Sequence, residues 1–318
     1  MPCVLGIDTS NYTTSCALYR SEDNSITKLS KLLPVKEGER GIRQSDAVFH
    51  HTAQLHVLLE ELLKDKNIRI DCVCASSVPR RQEGSYMPCF SVGAATARSI
   101  SAALNVPYFD ASHQQGHIMA ALFSSGRLDL VSREFLAFHI SGGTTEAMIV
   151  TPHSEDILSC EICAKTLDLN AGQLVDRVGV YMGLSFPAGK EMERYALEYN
   201  GKPLKVKPSL KGADCCLSGF ENKLTAMYKS PDDIAEVSAL TLAYVEATVS
   251  AMAEKLVEKY GEIPLVFAGG VMSNSIIRQS ILNKFRADFA KPDFSCDNAA
   301  GVAIIGYQKY EKFMNFRG

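Results

Sequence analysis

The segment Val4-Leu-Gly-Ile-Asp-Thr-Ser-Asn-Tyr-Thr-Thr-Ser-Cys-Ala-Leu-Tyr19 decides the fold, because a second segment repeats its pattern. That second segment is Leu136-Ala-Phe-His-Ile-Ser-Gly-Gly-Thr-Thr-Glu-Ala-Met-Ile-Val150. Each begins as an apolar strand, turns through small polar residues and continues as a second strand. Small turn residues let backbone N–H groups approach an anion closely. The repeat predicts two similar halves with a ligand between them; the alternative is two unrelated hairpins.

Strand-like and helical patterns alternate through the rest of the first half. Residues 52–64 carry leucines at helical spacing, and residues 91–104 form a small-residue helix suited to close packing. Short apolar runs at 70–76 and 106–109 are typical of strands, and the polar stretch 79–88 is typical of a loop. This alternation predicts an α/β protein with a mixed sheet.

Composition narrows the function class. The chain has 318 residues, 46% of them hydrophobic, which is enough for a large core in two domains. The net charge of −3 gives no global basic signal, so an RNA partner would require a local basic patch or a second protein. We find no 18-residue apolar span and no signal peptide, and the ten cysteines are scattered as reduced thiols would be. These features predict a cytoplasmic protein with no membrane segment.

Two histidines, His113 and His117, provide the sharpest chemical signal. On a helix that begins after a Ser112 cap, positions i and i+4 share one face, so both imidazoles can reach one metal ion. In a zinc protease of the His-Glu-x-x-His type a glutamate follows the first histidine. Here Gln114 takes that position, and an amide cannot act as a general base. A protease is therefore not expected, and a metal site would need a third ligand.

A third loop has the features of a nucleotide contact. Within residues 264–278 a buried strand runs into Gly269-Gly270, and a helix is predicted to begin near Ser273. Glycine backbone and a helix N-terminus favour a phosphate group. The sequence Ser141-Gly142-Gly143 in the second hairpin strengthens this interpretation.

Eight short motifs occur in a fixed order along nearly the whole chain. They are Gly6-Ile-Asp-Thr-Ser10, His113-x-x-Gly-His117, Ile140-Ser-Gly-Gly-Thr-Thr145, Asn170-Ala-Gly-x-x-x-Asp176, Gly183-Leu-Ser-Phe-Pro-Ala-Gly189, Leu217-Ser-Gly-Phe220, Ala268-Gly-Gly-Val-x-x-Asn274 and Ser295-Cys-Asp-Asn298. In this order they resemble the TsaD/Gcp family, the tRNA N6-threonylcarbamoyladenosine synthases once labelled O-sialoglycoprotein endopeptidases.

The resemblance implies an actin/hexokinase/Hsp70-like (ASKHA) α/β fold of two duplicated RNase H-like subdomains with a cleft between them. It implies an N-terminal subdomain of residues 1–126 plus 298–318, which carries the histidine pair. The second subdomain, residues 127–297, is expected to carry the nucleotide-binding loops. The last helix is expected to return to the first subdomain.

The resemblance also implies the site. One divalent metal ion, iron or zinc, is expected on His113, His117 and Asp297, and these residues together with Asp8 are the predicted catalytic set. The expected ligand is an adenine nucleotide: threonylcarbamoyl-adenylate, AMP or ATP. The residues predicted to bind it are His139, Ile140, Ser141, Gly142, Gly143, Asp176, Gly189, Gly269, Gly270 and Asn274.

The reaction implied by the resemblance is transfer of threonylcarbamoyl from its adenylate to N6 of the adenosine adjacent to the tRNA anticodon, with release of AMP. The implied partners are tRNA and TsaB-like and TsaE-like proteins. A dimer through the N-terminal subdomain is also expected, because family members pair there.

Several residues depart from the family pattern. Tyr12-Thr13 replaces an acidic pair, Gln115 replaces a glutamate between the histidines, and Gln173 replaces another glutamate. Residues 79–81 replace a Pro-Gly-Leu loop. Arg80 and Arg81 there, like Arg98, could contact an anion or belong to the solvated surface, and solvation is the favoured prediction. Three alternatives stay open: a carbamoyltransferase with another acceptor, a non-catalytic TsaB-like scaffold, and a sugar kinase of the same superfold.

Overall fold

The computed structural model describes residues 1–10, 12–34, 42–202, 204–294 and 298–316. The chain forms two compact units. The first unit contains Met1–Ser132, Thr151–Cys160 and Asp293–Gly318, and the second contains Arg133–Val150 and Glu161–Pro292. The subdomain boundaries after residues 126 and 297 stay a prediction.

Strands and helices are numbered in chain order. The strands are β1 (Cys3–Ser10), β2 (Thr13–Arg20), β3 (Ser25–Leu32), β4 (Cys72–Val78), β5 (Tyr108–Ser112), β6 (Phe135–Ile140), β7 (Thr145–His153), β8 (Ile157–Lys165), β9 (Ser209–Lys211), β10 (Asp214–Cys216), β11 (Leu265–Ala268) and β12 (Ala287–Phe289). The helices are α1 (Gln44–Leu62), α2 (Phe90–Leu104), α3 (His113–Ser125), α4 (Ala171–Tyr181), α5 (Gly189–Glu198), α6 (Ser218–Met227), α7 (Ile234–Tyr260), α8 (Ser275–Lys284) and α9 (Ala299–Asn315).

The two main sheets have the same topology, which confirms the predicted repeat. The first sheet has the order β3-β2-β1-β4-β5, and the second, read from its other edge, has the order β8-β7-β6-β11-β12. In both, the first hairpin is antiparallel and its first strand pairs in parallel with a strand from later in the chain. The repeated hairpins close at Ser10 opposite Thr13 and at Ile140 opposite Thr145.

Alternation along β1 divides the first sheet into two faces. Successive side chains of a strand point to opposite faces. Leu5 and Ile7 belong to the apolar cluster that includes residues of α1 and α2. Gly6, in contrast, faces α9, because a Cβ placed there would overlap the carbonyl oxygen of Ala299. Asp8 therefore shares the α9 face of the sheet with Gly6.

Two predicted elements differ in extent from those observed. Helix α1 begins at Gln44, earlier than the predicted residue 52, because Ala47 and His51 continue its buried face. Strand β3 was absent from the sequence-based prediction; its residues are mostly half-buried or exposed, so its apolar signal is weak. The other first-half strands and α2 lie within a few residues of their predicted positions.

Helix α7 is the one element in the described part of the chain that is long and apolar enough to cross a membrane. Its most apolar window has a mean hydropathy of 1.2, and 56% of that window is buried inside the fold. The sequence-based expectation of no such span is therefore wrong by this measure. The reason is that the apolar window of α7 packs against the core of the second unit and contains at most two charged residues.

Close backbone contacts hold α9 in the first unit. A Cβ at Gly301 would overlap the carbonyl oxygen of Gly116 in α3 and would lie 2.7 Å from its carbonyl carbon. Gly6 meets the same helix from β1. The last helix thus returns to the first sheet, as predicted, and small residues permit that approach.

We expect Gly301→Ala to lower the free energy of unfolding by about 3 kcal/mol, because the added methyl group forces α3 and α9 apart. Urea denaturation followed by circular dichroism measures this change. Gly219→Ala is the control: nothing lies within 4 Å of its added Cβ, so its effect should stay within about 1 kcal/mol. Equal effects of the two substitutions would contradict the packing described here.

Candidate functional site

The histidine pair lies at the start of α3, which follows β5 without a loop. Ser112 caps the helix as predicted: its Oγ accepts from the backbone N–H of Gln115 at 3.2 Å. Its own N–H donates to Oε1 of Gln115 at 2.8 Å, which completes a capping box. This cap fixes the first turn, and the rings of His113 and His117 lie 4.6 Å apart between centroids.

Asp8 meets His113 from the sheet. Nδ1 of His113 lies 3.0 and 3.2 Å from the two carboxylate oxygens of Asp8, which is 1% exposed. Ser76 on the neighbouring β4 donates its hydroxyl to the same carboxylate. Burial alone would raise the pKa of Asp8, but the charge of His113 and these hydrogen bonds lower it. Asp8 is therefore an ionised partner that orients the His113 ring.

Asn298 completes the arrangement in the described part of the first unit. Its Nδ2 lies 3.0 Å from Nδ1 and 3.3 Å from Nε2 of His113, while its buried Oδ1 has no hydrogen-bond partner among the described residues. Asn298 directly precedes α9. Asp297, the predicted third ligand, lies outside the described residues, and within those residues no three His, Cys, Asp or Glu side chains form a ligand cluster.

The described residues include two side chains of the type that binds a divalent metal. Two imidazoles on one helix face are common ligands of zinc and iron. A carboxylate on the second nitrogen of a ligating histidine is a frequent supporting contact. Among the described residues the Asn298 oxygen beside His113 has no partner, and buried polar groups of this kind are rare in protein interiors.

Gln115 has a structural reason for replacing the family's glutamate. Its Nε2 donates to the carbonyl of Leu158 at 2.7 Å and to that of Asp156 at 3.3 Å. A carboxylate cannot donate to a carbonyl oxygen. The amide therefore joins the cap of α3 to the start of β8 within the first unit.

Arg81 is exposed, as predicted, and it also takes part in an ion-pair network. It contacts Oδ2 of Asp110 at 2.8 Å and Oδ1 of Asp156 at 3.2 Å. Lys309 of α9 donates to the carbonyl of Asp110 and to the carboxylate of Asp156. The guanidinium of Arg98 lies over the ring of Tyr108, at 4.7 Å from its centroid. The loop of residues 79–88 is thus anchored beside β5 and α9.

In the second unit, Ser141–Gly143 form the turn of the repeated hairpin. The Oγ of Ser141 accepts from the N–H groups of Gly143 and Thr144 at 3.3 and 3.1 Å. The N-terminus of α4 contacts this turn, since Gly172 N–H donates to the carbonyl of Ser141 at 3.1 Å. The turn is therefore fixed from both sides.

The glycines predicted to bind the nucleotide differ in whether the fold requires a glycine at that position. Gly269 is required by the fold, because its φ is +99° and a Cβ would overlap the carbonyl oxygen of Ile140. The others have no positive φ, and a Cβ added to any of them meets nothing within 4 Å; they are Gly142, Gly143, Gly189 and Gly270. Packing does not require these four glycines, and their contact with a nucleotide stays a prediction.

Two further residues predicted to bind the nucleotide, Asp176 and Asn274, each accept a hydrogen bond from a backbone N–H in the second unit. Oδ1 of Asp176 accepts from the N–H of Ala188 at 2.8 Å, directly before Gly189, and burial raises the pKa of Asp176. Asn274 caps α8 by accepting from the N–H of Ile277 at 3.0 Å. The Asn274 oxygen thus serves the helix, and its amide N–H groups are the donors suited to a ligand.

The two predicted residues of β6 differ in exposure. Ile140 is wholly buried, so its side chain belongs to the core and only its backbone suits a ligand. His139 is half-buried and pairs across the hairpin with Glu146.

Sequence reasoning missed Asp168. Its carboxylate accepts from the N–H groups of Leu169 and Leu217 at 2.6 and 2.8 Å, and also from Ser218. Burial opposes ionisation, but these hydrogen bonds lower the pKa of Asp168. The carboxylate ties the approach to α4 to the start of α6. The motif Leu217-Ser-Gly-Phe220 was noted in the sequence, but its partner is 49 residues away.

Two five-stranded sheets of one topology define an actin/hexokinase/Hsp70-like (ASKHA) α/β fold, which confirms the predicted class. Full-length HypF in a phosphate- and nucleotide-bound form is similar, with a TM-score of 0.58 at 12% identity; the match covers 98% of this chain and 56% of that one. The activator of 2-hydroxyisocaproyl-CoA dehydratase from Clostridium difficile has a TM-score of 0.53 at 14% identity, covering 99% and 97%. A ROK hexokinase from Thermus thermophilus has a TM-score of 0.50 at 14% identity, covering 98% and 99%.

Residues 28–304 match the TsaD family, described as tRNA N6-adenosine threonylcarbamoyltransferase. A relative of that name from Christiangramia forsetii is 27% identical over 97% of this chain and 93% of its own length. Another, from Dictyoglomus turgidum, is 28% identical with the same coverage. The chain therefore belongs to the TsaD family and is a transferase.

We expect Gln115→Glu to lower the free energy of unfolding by about 2 kcal/mol, because the buried carbonyl of Leu158 loses its donor. Chemical denaturation at pH 7 measures the loss. The exposed Gln82→Glu introduces the same charge and should change stability by less than about 0.5 kcal/mol. If Gln115→Glu is as stable as the unaltered chain, the amide does not join α3 to β8.

Proposed function

We propose that this chain transfers a threonylcarbamoyl group from threonylcarbamoyl-adenylate to N6 of the adenosine adjacent to the tRNA anticodon, with release of AMP. The observation that carries the proposal is the His113–His117 pair on a capped helix with Asp8 hydrogen-bonded to His113. It occurs in a chain of the TsaD family. A non-catalytic scaffold would have no need of this arrangement.

In the proposed site, His113, His117 and Asp297 hold one divalent ion, iron or zinc. When bound, that ion supplies Lewis-acid polarisation of carbamoyl or phosphate oxygens. Asp8 keeps the His113 ring in one orientation and fixes which ring nitrogen carries the proton. Ser76 in turn holds the Asp8 carboxylate.

The second unit supplies the proposed adenylate contacts. The backbone of Ser141–Gly143 and Gly269–Gly270 would approach the phosphate, since open space surrounds Gly142, Gly143 and Gly270. Asp176 and Asn274 would hydrogen-bond the ribose or base. Strand β6 ends with His139 and Ile140, directly before the Ser141–Gly143 turn, and α5 begins at Gly189.

The chemistry we propose is direct transfer. The N6 nitrogen forms a bond to the carbamoyl carbon, the bond from that carbon to the phosphate oxygen breaks, AMP leaves, and the N6 proton passes to water. No side chain takes the role of a covalent nucleophile. The residues act by positioning the reactants and stabilising charge.

Partners and location form part of the same proposal. The acceptor is tRNA, and TsaB-like and TsaE-like proteins are the expected accessory partners in the cytoplasm. A dimer through the N-terminal half is the expected assembly.

A second candidate function is carbamoyl transfer to another acceptor. It is favoured by one observation: Tyr12, which is 45% exposed, replaces an acidic residue of the family at the first hairpin turn. A change of charge at that turn alters which acceptor can be accommodated. Transfer of label to tRNA distinguishes the two candidates directly.

We expect the double substitution His113→Ala and His117→Ala to abolish bound metal and lower transfer of labelled threonylcarbamoyl to unmodified tRNA by more than about 100-fold. Metal content is measured by mass spectrometry on the same sample. His50→Ala with His56→Ala, which removes two imidazoles from α1, is the matched control and should keep both properties. Full activity and full metal content in the first variant would refute the proposed site.

We expect Gly142→Ala and Gly143→Ala to weaken AMP binding by about tenfold, because each methyl group occupies space assigned to the nucleotide. Their unfolding free energies should change by less than about 1 kcal/mol, since neither position has a positive φ or a close neighbour. Isothermal titration calorimetry measures the affinity. Gly269→Ala is the contrasting variant and should destabilise the fold; unchanged AMP affinity in the first two variants would remove the turn from the nucleotide site.

A further inference from the structure

A lysine-rich segment of the second unit is used by neither the histidine site nor the nucleotide loops. The sequence from 201 to 212 is Gly-Lys-Pro-Leu-Lys-Val-Lys-Pro-Ser-Leu-Lys-Gly. It leads from α5 into β9. We name three of its lysines, Lys205, Lys207 and Lys211, the basic stripe.

The segment is anchored by its apolar residues. From residue 204 to 211 half-buried and exposed positions alternate without a break. Leu204, Val206 and Leu210 pack against the core of the second unit. Lys205, Lys207 and Lys211 occupy exposed positions between and after them. Because the apolar side chains hold the backbone, the lysines are presented in a row on one side.

The charges of the stripe are uncompensated. Some exposed lysines pair with nearby acids, as Lys64 does with Glu61 and Lys255 with Glu258. Across the described segments of the chain, the ammonium groups of the stripe have no ion pair or hydrogen bond. The acid opposite Lys211 in the β9–β10 hairpin is Asp214, and its Oδ1 accepts from the backbone N–H of Lys165 at 2.8 Å.

The spacing suits a polymer of phosphates. Side chains two residues apart on an extended chain are separated by about 6.6 Å. This is close to two intervals of the roughly 3.4 Å axial charge spacing of one nucleic-acid strand. Lysine binds phosphate as a point charge without base specificity. A protein with a net charge of −3 needs such a local patch to hold a polyanion.

We propose that the basic stripe binds the phosphodiester backbone of the RNA acceptor. The inference rests on the proposed function, because that function supplies an RNA substrate. The stripe gives affinity and orientation, and recognition of the modified adenosine belongs to other residues.

The test is binding of unmodified tRNA to the full chain, measured by fluorescence anisotropy between about 50 and 200 mM salt. The variant carries Lys205→Gln, Lys207→Gln and Lys211→Gln. We expect at least about tenfold weaker binding at the lower salt concentration. The slope of log K against log salt should become shallower by about 2, since three phosphate contacts are lost.

The control variant carries Lys64→Gln, Lys66→Gln and Lys255→Gln, which change the net charge equally at exposed positions elsewhere. It should bind tRNA with the original slope, and AMP affinity should be unchanged in both variants. An unchanged slope in the stripe variant, or an equal loss in the control, would overturn the stripe while leaving the proposed reaction intact. A wild-type chain that binds AMP but no tRNA would overturn the RNA acceptor and the stripe together.

Discussion

The close approach of α9 to both β1 and α3 is the constraint on which the first unit depends. A methyl group at Gly6 or Gly301 would overlap a neighbouring backbone, and one at Gly116 would lie only 3.1 Å from the carbonyl oxygen of Asn298. This contact fixes the start of α9, and with it Asn298, beside the start of α3. Alternation along β1 then directs Asp8 to the same face, so the carboxylate meets His113. Packing of small residues thus assembles the polar site.

The second unit repeats the sheet topology but uses its hairpin turn differently. In the first hairpin a carboxylate lies within the strand, at Asp8, which is 1% exposed. In the second, the turn Ser141–Gly143 leaves open space at two glycines. One topology therefore supports a buried charged contact in one unit and an open backbone surface in the other. Duplication preserved the strand order, while the side chains at corresponding places diverged.

Departures from the family pattern acquire physical meaning once their contacts are known. Gln115 completes the cap of α3 and also supplies a donor for the carbonyl of Leu158. Arg81, in the loop that departs from the family, pairs with Asp110 and Asp156. These substitutions therefore have structural partners of their own, and neither requires a change in the histidine pair.

The sequence by itself determined the repeated hairpins, the capped helix with His113 and His117, and the family, because these depend on periodicity and on motifs within a few residues. It also identified Gly142, Gly143 and Gly269 as candidate nucleotide contacts but could not tell which of them the fold requires. Only the tertiary structure shows at which of these glycines an added Cβ would overlap a neighbour. Contacts between distant residues were likewise decided by the fold. Asp8 lies 105 residues from His113, and Asp168 lies 49 from Leu217. No local pattern encodes such pairs, because strand order and helix packing bring them together.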